Sequence, residues 1–161
     1  MKIEGPLIKG RFHSRPNRFL TVGEINGELV QSHLPDPGRL KELLLPDAEL
    51  YLRPVSDEIP RKTRFTTVMV RHKRQFISLV STLPNQFVKE SLKKDDLPMF
   101  RNYNFVRSEV TVGKHRFDFL LESPKGKPFY LEIKSVTYVE NGIAQFPDAV
   151  TERGSRHALA L

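Results

Sequence analysis

The 161-residue sequence contains no cysteine, which excludes a disulfide framework, a thiolate zinc site and a cysteine nucleophile together. Long apolar runs are missing as well: stretches such as Leu43–Leu45 fall far short of the ~20 residues a membrane helix needs. The opening residues, MKIEGPLIKGRF, carry Glu4 and Lys9 and lack the apolar segment of a secretory signal. The chain is therefore expected to be soluble, cytoplasmic and without a membrane partner. Acids are absent between Glu58 and Glu90, whereas Arg61, Lys62, Arg64, Arg71, His72, Lys73, Arg74 and Lys89 all fall there.

What is present is enough to fold. With 39% hydrophobic residues, a chain of this length buries about two-thirds of the surface its unfolded form exposes. The net charge is +7, which points to an anionic partner, most simply nucleic-acid phosphates. The basicity is uneven: residues 1–80 hold 14 Lys+Arg against 9 Asp+Glu, and residues 81–161 hold 12 against 10. The basic run after Glu58 reads either as a phosphate-binding surface or as a solvated hairpin.

From Leu7 to Val80 short alternating apolar and polar runs are broken by turn residues, the pattern of a small antiparallel barrel or sandwich. RFLTVGEI and ELVQSHL flank Asn26-Gly27, a dipeptide suited to the positive φ values of a type I′ turn. After Pro35-Asp36-Pro37-Gly38, the segment RLKELLL places Leu40, Leu43 and Leu44 on one helical face, with Asp36 as a cap, so a short helix is expected. AELYLRPV, RFTTVMV and QFISLVS complete about five strands around that helix, an order that suits an OB-type barrel. Tyr51 and Phe76 lie in these strands, where aromatics either fill a core or stack bases.

Composition changes near residue 83, giving a barrel over residues 1–83 and a second domain over residues 84–161. Thr82-Leu83-Pro84-Asn85 reads as a turn and NQFVKESLKK as a helix, with Phe87, Val88 and Leu92 at helical spacing and Glu90 facing away from Phe87. A hairpin, a third strand FYLEIKSV, a loop containing Gly142 and Pro147, and a final helix from about Thr151 follow. The hairpin SEVTV, Gly113-Lys114, HRFDFL takes a two-residue type II′ turn. That turn opposes Val110 to Phe117 and Glu109 to Asp118. Two carboxylates set opposite each other destabilise a sheet unless a cation lies between them or one is protonated.

In FYLEIKSV, Glu132 and Lys134 share a face two residues apart. If this strand pairs with the one bearing Asp118, Glu109, Asp118, Glu132 and Lys134 converge. Such carboxylates are hard oxygen ligands suited to Mg²⁺ or Mn²⁺. Lys134 is then placed to position or deprotonate a water, or to stabilise charge on a phosphoryl oxygen. The alternative is a plain surface ion pair between Glu132 and Lys134. With Glu90 on the preceding helix, the layout is the α-β-β-β start of the PD-(D/E)xK nuclease superfamily, which this half resembles.

The segments GRFHSRPNRFL, SHLPDPGRL and YLEIKSVTYVENGIAQFPDAVTERGSRHALAL make the whole chain resemble the sugar fermentation stimulation protein A (SfsA) family. The resemblance implies an α+β protein, an OB-like five-stranded barrel followed by a PD-(D/E)xK nuclease-like α/β domain, that binds DNA largely without sequence specificity and regulates sugar, particularly maltose, utilisation. The nuclease-like positions carry over as Glu90, Glu109, Asp118, Glu132 and Lys134, with Asp118, Glu132 and Glu109 as metal ligands. Family members run on past the TERG helix, so the fold is expected to be incomplete at its C-terminus.

Thr151, Glu152, Arg153 and His157 open the last helix, with Arg153 and His157 on one face; they steer a phosphate or merely cap and solvate the helix. Around His33, Asp36, Gly38 and Arg39 a helix N-terminus offers a phosphate site, or these residues simply make a turn. His13, His72 and His115 lack metal-site spacing and read as surface residues. The expected nucleic-acid contacts are Arg39, Arg61, Lys62, Arg64, Arg71, Lys73, Arg74, Arg153 and His157. Three readings remain open: a DNA-binding regulator that keeps its acids without turnover, an active Mg²⁺-dependent DNA or RNA nuclease, and a metal-stabilised scaffold for a nucleotide or small phosphate.

Overall fold

The structure, a computed structural model, describes residues 2–145. The described residues divide into two compact units, one comprising Lys2–Ser81 with residues 136–145 and the other centred on Thr82–Ser135.

In the first unit, six strands follow in order: β1 (Ile8–Asn17), β2 (Leu20–Ile25), β3 (Glu28–His33), β4 (Glu49–Pro54), β5 (Phe65–His72) and β6 (Gln75–Ser78). Five of them close into the expected barrel. β1 pairs with β4 through Ile8–Arg11 and with β2 from Arg11 onward, and a parallel pairing of Ser32 and His33 with Phe65 and Thr66 joins β3 to β5. The ring therefore runs β1-β2-β3-β5-β4 and returns to β1, with β6 added outside it on β5. β1 serves two neighbours by bending through register shifts between Phe12 and Ser14 and between Ser14 and Asn17. The Asn26-Gly27 turn is as expected, with φ of 52° and 86°.

Leu34, Leu40, Leu43, Leu50, Leu52, Val70 and Leu79 fill the barrel. Inside it Thr21, Ser32 and Thr67 are fully buried and joined by hydroxyl hydrogen bonds, 2.7 Å between Thr21 Oγ1 and Thr67 Oγ1 and 2.8 Å from Thr67 Oγ1 to Ser32 Oγ. These bonds tie β2, β3 and β5 at the parallel closure, where the hydroxyls of Ser32 and Thr67 would otherwise be buried unmet.

The short helix expected over residues 39–45 is not formed. Leu40 has a left-handed φ of 52°, and only Leu43 N–H and Leu44 N–H return to its carbonyl, so the segment is a single turn ended before Pro46. Leu40, Leu43 and Leu44 are nevertheless buried. The loop expected around Gly142 also differs: Asn141 and Gly142, with φ of 51° and 78°, turn a small hairpin of Val139–Glu140 and Ile143–Ala144.

Among the described residues the second unit packs one α-helix on one antiparallel sheet, with a short 3-10 turn at Pro98–Phe100. α1 spans Leu83–Lys93, so the expected Thr82–Asn85 turn is instead the helix start, with Pro84 in its first turn where a missing N–H costs nothing. The sheet order is β7 (Asn104–Val112), β8 (His115–Glu122), β9 (Pro128–Leu131). Leu92 of α1 meets Phe119 and Leu121 of β8, joined by Val88, Phe105, Leu131 and Ile133. Phe87, expected on the apolar face, is exposed. Among the described residues no helix is long and apolar enough to cross a membrane.

Candidate functional site

The β7–β8 turn fixes the candidate acidic site. Gly113 takes a φ of 57°, and Val110 pairs with Phe117 and Ser108 with Phe119, the expected register. Glu109 accordingly lies across from Asp118. The cation this opposition calls for is Arg116, two residues before Asp118 on the same strand face: its guanidinium sits 2.8 Å from the Glu109 carboxylate. Glu109 itself has a φ of 57° within the strand. Both side chains of the pair are largely exposed, so its stabilisation is small. Arg116 occupies an outward position of HRFDFL, and it supplies the positive charge for which the opposition of two acids alone suggests a metal.

β8 pairs with β9 through Phe119 and Leu131, Leu120 and Tyr130, and Leu121 and Phe129. The third strand, expected over residues 129–136, stops at Leu131. The reason is local. Asp118 Oδ2 accepts the Ile133 N–H at 2.6 Å, so a side-chain carboxylate replaces a main-chain acceptor and the ladder ends. One step past the last backbone pair, Glu132 follows the register to Asp118's neighbouring position. Lys134 Nζ pairs with Glu132 Oε1. The Glu132 side chain is only 8% exposed and that of Lys134 34%, so the carboxylate is sheltered while the lysine that pairs with it reaches solvent.

The structure thus brings Asp118, Glu132 and Lys134 to one end of the β8–β9 ladder. Glu109 is engaged by Arg116, and Glu90 is exposed on α1. Among the described residues no three His, Asp or Glu side chains form a group able to hold a metal ion, so the expected convergence of Glu109 with the other acids does not occur. The donor set at Asp118 and Glu132 fits a hard divalent cation of the Mg²⁺ type, which is bound through one or two carboxylates and completes its shell with water and phosphate oxygens.

On the barrel, the basic residues are dispersed. Arg61 and Lys62 are exposed in the β4–β5 loop, where Arg64 is held by Asp57 and by the Val55 carbonyl. Lys73, with a φ of 56°, and Arg74 form the β5–β6 turn, and Arg71 precedes it on β5. Arg39 is exposed, and its carbonyl accepts a 2.6 Å hydrogen bond from Arg15, which also reaches the carbonyl of Arg18. Asp36 caps no helix: its carboxylate accepts the Gly38 N–H at 2.8 Å in an Asx turn, so the expected helix-terminus phosphate site at this position is absent. Sequence reasoning missed Arg15, although it lies within GRFHSRPNRFL. Thr151, Glu152, Arg153 and His157 lie outside the described residues.

Residues 14–79 match the family model described as SfsA N-terminal OB domain, and residues 82–161 match that described as Sugar fermentation stimulation protein RE domain. A curated relative from Moorella thermoacetica, named sugar fermentation stimulation protein homolog, is 48% identical over all of this chain and 69% of its own length. The chain belongs to the SfsA family. The SfsA relatives include a Clostridium botulinum protein of the same name, 40% identical over 100% of this chain and 70% of that protein. The structure of Pyrococcus furiosus SfsA in complex with Ca²⁺ superposes with a TM-score of 0.84 at 27% identity, covering 100% of this chain and 68% of that one.

Proposed function

We propose that this SfsA-family chain is a cytoplasmic DNA-binding protein that holds the phosphodiester backbone without sequence readout and acts in the regulation of sugar, particularly maltose, utilisation. The observation that carries the reading is the acid-free, basic run between Glu58 and Glu90, which covers β5 and β6 of the barrel, in a protein of net charge +7. The OB order of the barrel supports it, since such barrels commonly bind oligonucleotides. So does the exposure of Arg61, Lys62, Lys73 and Arg74, four cations able to lie along phosphates.

Mg²⁺-dependent phosphodiester hydrolysis is the second reading, favoured by the near-complete burial of Glu132 beside Lys134. Asp118 is fixed by the Ile133 N–H and Glu132 is oriented by Lys134, so both carboxylates are pre-set as ligands. A bound divalent cation would supply Lewis-acid stabilisation and a water of lowered pKa. Lys134 would place its positive charge where a phosphoryl oxygen gains negative charge. The family relative solved with Ca²⁺ supports a divalent cation in this family.

The deciding experiment incubates the protein with single-stranded, nicked and duplex DNA in Mg²⁺, Mn²⁺ or EDTA, and records mobility shifts and products together. Binding that weakens steeply with salt supports the DNA-binding reading; affinity that stays flat from low to high salt rejects it. Metal-dependent cleavage lost in Asp118→Ala and Lys134→Ala establishes the nuclease.

A further inference from the structure

The outer face of β1, β4, β5 and β6 carries an arrangement that the acidic site does not use. Residues pointing outward there alternate with the barrel core: Leu50 and Val70 are buried, while their neighbours Tyr51 and Met69 pair across β4 and β5 on the outside. On β5 and β6, Arg71 pairs with Phe76 on that same outer face. Phe76 is 57% exposed and meets Tyr51 edge-on, with ring centroids 5.3 Å apart and planes at 83°.

Around these rings the charge is cationic. Lys9 pairs with Tyr51 across β1 and β4, Arg11 lies two residues on, and Arg71, Lys73 and Arg74 border Phe76. Glu24 sits across from Arg11 on β2, and Glu49, the acid next to the rings, is already engaged: it accepts the Tyr51 hydroxyl at 2.6 Å, lies 2.6 Å from Lys9 Nζ and 3.6 Å from Arg71. Glu49 thereby locks the Tyr51 ring against Phe76 without leaving a surplus negative charge. An exposed ring buttressed by a fixed second ring, with phosphate-binding cations on both sides, is what unpaired bases require. A duplex keeps its bases stacked on one another and cannot offer a face to Phe76.

We infer that Tyr51, Phe76 and the cations Lys9, Arg71, Lys73 and Arg74 form a stacking platform for single-stranded DNA on the β4–β6 side of the barrel. The platform rests on the DNA-binding reading and deepens it by naming unpaired DNA as a ligand and Phe76 as the residue a base covers. Phosphates follow the cations while one base lies on the free face of Phe76.

The chain contains no tryptophan, so Phe76→Trp gives a single indole reporter at the proposed contact. Titration of this variant with an oligo-dT single strand is expected to quench its emission, and an equal length of duplex is expected to leave it unchanged. In parallel, Phe76→Ala should weaken oligo-dT binding at least about fivefold, from the ~1–3 kcal/mol each stacked base contributes, and change duplex affinity less than about twofold. Unchanged oligo-dT affinity in Phe76→Ala, with parent-like salt-sensitive duplex binding, overturns the platform and leaves the DNA-binding reading standing. Failure of the parent chain to bind either DNA overturns both. A concentration-dependent dimer abolished by Phe76→Ala, with oligo-dT affinity unaffected, assigns the face to a second copy of the chain and overturns the platform.

Discussion

The Ile133 N–H donates to Asp118 Oδ2 at 2.6 Å, across 15 residues of sequence. Because the acceptor is a side chain, one carboxylate both ends the β8–β9 ladder and is itself held in place, the orientation that the proposed cation site relies on. The two roles separate by substitution. Asp118→Asn keeps an acceptor for Ile133, whereas Asp118→Ala leaves a half-buried N–H unmet at a cost of about 1–2 kcal/mol. Hydrogen exchange should show the Ile133 amide losing protection in Asp118→Ala and retaining most of it in Asp118→Asn, while divalent-cation affinity falls in both. Equal protection in the two variants would reject the structural role.

Thr67 makes the corresponding test in the barrel. Its hydroxyl bonds both Thr21 and Ser32, and all three are fully buried. Thr67→Val preserves shape but strands the Ser32 hydroxyl and leaves Thr21 only its 3.4 Å bond to the Ser32 carbonyl, which costs about 1–3 kcal/mol and should lower the barrel's melting temperature by at least about 4 °C. Thr67→Ser keeps the bonds and should lose less. A valine variant that melts with the parent would show that the parallel closure does not depend on these bonds.

The hairpins were legible because their turns carry their own chemistry. Asn26-Gly27 and Gly113 fixed two registers from sequence, and the same dipeptide at Asn141-Gly142 turns a hairpin whose two-residue strands are too short to show alternation. Leu40, Leu43 and Leu44 announced their burial by spacing, but a left-handed Leu40 makes the same face from one turn without a helix. The acidic site was half legible. Alternation placed Glu132 and Lys134 together, yet nothing in a charge pattern tells that Arg116 neutralises Glu109 or that the Asp118 side chain will end a strand. Buried hydroxyls such as Thr21 and Thr67 are polar letters in an alternating pattern, and only the closed ring shows that both point inward.

Gly10 and Gly23 line the close approach of β1 to its two neighbours. A Cβ on Gly10 would lie 2.8 Å from the Glu24 carbonyl oxygen and 2.9 Å from Leu52 Cδ1, and one on Gly23 3.3 Å from the Arg11 carbonyl oxygen. The backbone at Gly10 must therefore shift, whereas at Gly23 a few tenths of an ångström suffice. Gly10→Ala should destabilise the barrel by about 1–3 kcal/mol, and Gly23→Ala by clearly less. Denaturant midpoints of the two variants check the order, and the reverse order would contradict the packing described.

Glu49 gives the barrel a pH signature. Its carboxyl is held below the ordinary value of 4.5, first by the hydrogen bond from Lys9, then by that from Tyr51, with Arg71 adding a further attraction. A group whose folded value is depressed contributes stability that is fully present above its unfolded value and is lost as pH falls through the folded one. Glu49→Gln should therefore be less stable than the parent near neutral pH, and the gap should close as pH drops from about 5 towards 3. Tyr51→Phe removes one of the two hydrogen bonds and should show the same trend at smaller amplitude. Thermal melts of parent and variants across that range provide the check. A gap that stays constant down to the lowest pH would mean that Glu49 is not held charged by Lys9 and Tyr51, and that the ring of Tyr51 is fixed against Phe76 by packing alone.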